Sequence, residues 1–136
     1  MTFYPKLVRD KVPDLIRLEG RAAVVEVLAA SELRPALLDK LLEEAAEAAA
    51  ASQVELPEEL ADVLEVLRAL AGILGLSLNE VVALADDKRA RRGGFDRGLF
   101  LVSAEAVGPT PTSPGTDPGR PGLGTSGASS LRAWIH

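Results

Sequence analysis

The sequence predicts an all-α chain, an antiparallel helical bundle with a small two-stranded ribbon, and three observations carry that prediction. Apolar residues recur at three- and four-residue spacing in two runs, Leu38, Leu41, Leu42, Ala45 and Ala49, then Leu60, Val63, Leu64, Leu67, Leu70 and Leu74. That is the period of an amphipathic helix. Only Ser52 to Leu56 links the two runs, and so short a link makes the helices antiparallel neighbours. Further on, Ser77 and Glu80 form an S-x-x-E capping box that opens another helix.

Taken in order, residues 4–11 mix charge and apolar groups, with Lys6, Arg9 and Lys11 around Leu7 and Val8. Pro13 permits a short helix over Asp14 to Leu18, which Gly20 stops. AAVVEVL, residues 22–28, is valine-rich and reads as a strand, with GLFLV at 98–102 as its partner. A ribbon of two strands is marginal alone and must pack on the helices. Ser31 is placed to cap the long second helix, with Pro35 in its first turn. The alanine run from Ala45 to Ala51, broken only by Glu47, is a strong helix former whose small side chains let a neighbouring helix approach.

The third helix is expected from Pro57, suited to a first turn, to about Leu74, where Gly72 and Gly75 weaken and end it; Glu58 and Glu59 favour its positive end. The fourth runs through Val81, Val82, Leu84 and Ala85, then Asp86 and Asp87 give way to Lys88, Arg89, Arg91 and Arg92 before Gly93. Cations at a helix C-terminus suit the macrodipole, so this cluster has a structural cause as good as a phosphate site. Residues 1–104 form the expected domain. Residues 105–136, dense in Pro, Gly, Ser and Thr, read as a disordered tail ending in LRAWIH.

Composition narrows the function. A chain of 136 residues with 47% apolar content suits one domain with a modest core. A net charge of −5 sets the bulk of the chain against polymeric nucleic acid, so any contact with phosphate is local or metal-mediated. The absence of cysteine rules out disulfides and thiolate-ligated metals. No span is long and apolar enough to cross a bilayer, and the beginning lacks an apolar targeting core, so a soluble, cytoplasmic protein with no membrane partner is expected. The single histidine, His136, lies in the tail, and no serine sits in an elbow motif, leaving triad catalysis unsupported.

The acids are the informative residues. On a helix, Glu44 and Glu47 project from one face, as do Glu59 and Asp62, while Glu43 sits one turn before Glu47. Glutamates at helical spacing ordinarily solvate a surface. These, however, abut leucines that must be buried, recur in two adjacent helices, and have no basic residue at i+4. If both ledges face one cleft, carboxylates that close are tolerable only with cations among them or protons upon them. Mg²⁺ is the natural partner of an all-oxygen site, with Mn²⁺ as a second candidate. Glu65, one turn past Asp62, reads as a solvated neighbour.

E-E-x-x-E (Glu43, Glu44, Glu47) followed by E-x-x-D (Glu59, Asp62) resembles the metal-binding signature of the MazG-like, all-α nucleoside triphosphate pyrophosphohydrolases, a superfamily that includes phosphoribosyl-ATP pyrophosphohydrolase. YPKLVRDKVPDLI (4–16) and DKRARRGGFDRG (87–98) resemble a MazG-related subgroup, and the similarity covers residues 4 to about 102. The resemblance implies that Glu44, Glu47, Glu59 and Asp62 hold metal. It implies that Glu43 positions or deprotonates water, and that Lys6, Arg9, Lys11, Lys88 and Arg91 meet a nucleotide's phosphates. The implied reaction is Mg²⁺-dependent hydrolysis of a nucleoside triphosphate to monophosphate and pyrophosphate, in a nucleotide-pool house-cleaning role. Phosphoribosyl-ATP hydrolysis is the enzymatic alternative, against which the KLVRDK arm argues, and a non-catalytic helical dimerisation module is the other. Wide apolar stripes predict a homodimer or homotetramer.

Overall fold

Four helices follow one another along the chain: α1 (Val12–Leu18), α2 (Ala30–Ala50), α3 (Leu56–Ile73) and α4 (Leu78–Arg92). The computed structural model describes residues 5–106. The chain divides after Ala85 into two units. In the first, α2 packs on α3, and residues 51–55 join them as a helical hairpin. Leu37 of α2 and Val66 and Ala71 of α3 are its buried apolar side chains. The second unit contains the last turns of α4, where Arg89 reaches Asp96 at 3.5 Å and Gly93 donates its N–H to the Arg89 carbonyl.

Local chemistry accounts for the helix ends. Pro57 stands in the first turn of α3 with Glu58 and Glu59, where a missing N–H costs nothing and negative charge meets the positive end of the dipole. Gly75, at φ 75°, follows Leu74 and takes the left-handed turn that ends α3. The capping box at α4 is formed: Ser77 Oγ accepts from the Glu80 N–H at 3.2 Å, and Glu80 Oε2 accepts from the Ser77 N–H at 3.2 Å.

Three expectations change. Ser31 does not cap α2, which begins before it at Ala30. Its cap residue is Ala29, whose methyl group accepts nothing, and Glu32 reaches back instead to take the Ala29 N–H at 3.3 Å. Pro35 accordingly falls in the second turn rather than the first. The hairpin turn is held by Ser52, whose Oγ accepts the Glu55 N–H at 3.2 Å and donates to Glu55 Oε1 at 2.7 Å. Finally, no strand occurs among the described residues, and segments 22–28 and 98–102, expected to pair as a ribbon, are irregular. Val24, Val27, Phe100 and Val102 are almost bare, so a valine-rich run has no apolar layer to lie on, and β-propensity without such a layer is not enough. From residue 107 the tail, with Trp134 and His136, lies outside the described residues. Among the described residues, no single helix is long and apolar enough to cross a membrane.

Candidate metal centre

Two adjacent helices bring the acids together. Glu44 of α2 and Glu59 and Asp62 of α3 each offer a carboxylate oxygen, all within 4.8 Å of one another. The three-residue spacing within α3 puts Glu59 and Asp62 on one face, and the α2–α3 packing turns that face toward Glu44. Glu44 is 7% exposed, the one buried charged side chain among the described residues. Its Oε2 and the Oε2 of Glu59 are buried without a hydrogen-bond donor. An ionised carboxylate left so is costly, by about 1–3 kcal/mol per unmet group, so something positive belongs there. An all-oxygen set in which two acceptors, on Glu44 and Glu59, are buried and unmet fits a hard divalent cation.

Glu47 stands beside this group rather than within it. Its carboxyl is held above the ordinary value of 4.5, first by the neighbouring carboxylate of Glu44, then by loss of water and by the charges of Glu59 and Glu43. Glu43 is half-buried.

Lys40 is the residue that sequence reasoning missed. Its Nζ lies 3.2 Å from Glu44 Oε1 and 3.4 Å from Glu43 Oε1. Burial works against its charge, but the hydrogen bonds and charges of Glu44 and Glu43 outweigh it and hold its pKa above 10.5. The signal was present as K-x-x-E-E: the balancing cation lies three and four residues before the acids, not after them.

Arg9 Nη2 donates to Asp62 Oδ1 at 2.6 Å, bringing the amino-terminal arm onto α3. Lys6 lines a cleft of about 200 Å³ with Pro5, Leu7, Ala36, Asp39, Lys40 and Glu43. Lys11 is exposed at the start of α1. Lys88 and Arg91 belong to the second unit, where Arg91 pairs with Asp87 at 3.0 Å and Lys88 is exposed. Glu65 pairs with Arg68 at 3.3 Å, in keeping with a solvated neighbour. No family model, curated protein or solved structure matches the chain.

Proposed function

We propose that the chain is a Mg²⁺-dependent nucleoside triphosphate pyrophosphohydrolase of the MazG-like kind, acting on surplus or non-standard nucleotides. The observation that carries this reading is the pair of buried, donorless oxygens on Glu44 and Glu59 beside Asp62. Glu44, Glu59 and Asp62 would hold the metal, with Glu47 beside them as a further ligand; Mn²⁺ is the natural substitute. A bound divalent ion supplies charge against phosphoryl oxygens and acidifies a ligated water.

The chain's own residues do the rest. Glu43 positions the attacking water and takes its proton. The water oxygen bonds to the α or the β phosphorus while that atom's bond to the bridging oxygen breaks, and the bridging oxygen keeps the electron pair and leaves with pyrophosphate (attack at α) or with the nucleoside monophosphate (attack at β). Arg9, Lys6 and Lys11 on the arm bind the polyphosphate. The active form is a homodimer or homotetramer. Pyrophosphate release from a panel of nucleoside triphosphates, with and without Mg²⁺, tests the reading. Release that needs both Mg²⁺ and Glu44 is the expected result; no release from any nucleotide, and no rise in melting temperature with Mg²⁺, overturns it.

A second reading has one observation in its favour. Leu38, Leu42, Leu60 and Leu64 stand open on the hairpin, as they would in a helical interaction module whose acids only solvate it. A chain that self-associates yet neither binds Mg²⁺ nor releases pyrophosphate would be that module.

A further inference from the structure

We infer that Lys40 is a positioning residue for the metal centre, fixing which oxygen of Glu44 is presented to the cation; this rests on the metal-binding reading above. The Lys40 side chain is 17% exposed, and its Nζ lies 3.2 Å from Glu44 Oε1, while the same carboxylate's Oε2 is buried with no partner. The two oxygens of Glu44 are therefore unequal: one is engaged by an ammonium on its own helix, and the other is unpartnered on a carboxylate that clusters with Glu59 and Asp62. A second contact, 3.4 Å to Glu43 Oε1, ties Glu43 to the same point. Lys40 precedes these acids by three and four residues on one continuous helix, the spacing that sets the three side chains beside one another.

A lysine could instead serve only to dilute negative charge, and the two roles predict opposite signs. If Lys40 merely neutralises, removing it makes the site more negative and tightens Mg²⁺ binding. If it positions Glu44, removing it lets the carboxylate rotate toward solvent and binding weakens in spite of the added negative charge. Outer-shell partners of metal ligands typically contribute about 10- to 100-fold in affinity.

The test is titration calorimetry of the full chain with MgCl₂ alone, on the wild type, Lys40→Met, Lys40→Gln and Lys40→Arg, with helix content checked by circular dichroism. Methionine keeps the apolar stem and helix propensity, and glutamine serves as the second neutral variant should Lys40→Met fail to fold. The expected result is about tenfold weaker binding in the neutral variants and recovery toward wild type in Lys40→Arg. Unchanged or tighter binding in a folded neutral variant overturns the positioning role and leaves the metal site standing. A wild type that binds no Mg²⁺ overturns both.

Discussion

Three carboxylates within 4.8 Å leave excess negative charge in a small volume, and Glu47 beside them shows how the chain accommodates it. Because Glu44, and then Glu59 and Glu43, keep the Glu47 carboxyl protonated above its ordinary 4.5, the folded chain binds a proton that the unfolded chain has released. The stability this contributes is complete below about pH 4.5 and is lost as pH rises through the raised value. Melting temperature of the metal-free protein is expected to fall across that window, and Glu47→Gln, permanently neutral, to flatten the slope. Identical pH profiles for the two proteins would show that Glu47 holds no extra proton there. The same substitution is expected to keep the helix content and lose Mg²⁺-dependent turnover; retained turnover would remove Glu47 from the site. The grouping of Glu44, Glu59 and Asp62 was legible because three-residue spacing in α3 and a short link to α2 leave few other arrangements. Lys40 was not, because a search for balancing charge confined to i+4 overlooks a cation placed upstream.

Helix boundaries depend on single turns, and those with a local cause could be read directly. The Ser77–Glu80 box and the glycine stop at Gly75 need nothing beyond neighbouring backbone groups. The ribbon was misread for the opposite reason: whether residues 22–28 and 98–102 pair depends on an apolar layer from elsewhere, and β-branched composition says nothing about its presence. Two glycines of one segment separate the local causes. Gly75 has φ 75° and nothing within 4 Å of an added Cβ, so Gly75→Ala is expected to destabilise by about 1–2 kcal/mol through backbone strain alone. Gly72 lies within α3, also with open space, and Gly72→Ala is expected to stabilise by up to about 1 kcal/mol by restricting the unfolded chain and improving helix propensity. Urea unfolding of the two variants reads both signs; the same sign for both would mean that the α3 terminus is not the glycine-dependent turn described.

For the molecule as a whole, the first unit buries few apolar side chains. Leu37, Val66 and Ala71 are covered, whereas Leu38, Leu42, Leu60, Leu64 and Leu67 on the same two helices are between 36% and 70% exposed. The periodicity did not pick out the covered side chains: Leu37, Val66 and Ala71 lie outside the expected stripes, whose own residues are half-buried or exposed, and a pattern of leucines does not say which chain covers them. A second copy is the expected cover, since two hairpins meeting face to face would bury both stripes. Light scattering at micromolar concentration should therefore give a dimer or tetramer, and Leu64→Glu should shift it toward monomer and lower its melting temperature. A wild-type monomer at tens of micromolar would count against this.

The amino-terminal arm has a final consequence. Arg9 reaches Asp62 through one ion pair whose side chains are 56% and 39% exposed. Exposed pairs of this kind are worth about 0.2–1 kcal/mol and weaken as salt rises. The peptide bond after Arg9 is a trypsin site whose own side chain is engaged in that pair, so each release of the pair makes the bond cleavable. Limited proteolysis should thus quicken with ionic strength at this bond more than at exposed basic sites elsewhere, making the cut fragment a direct gauge of how often the arm lets go.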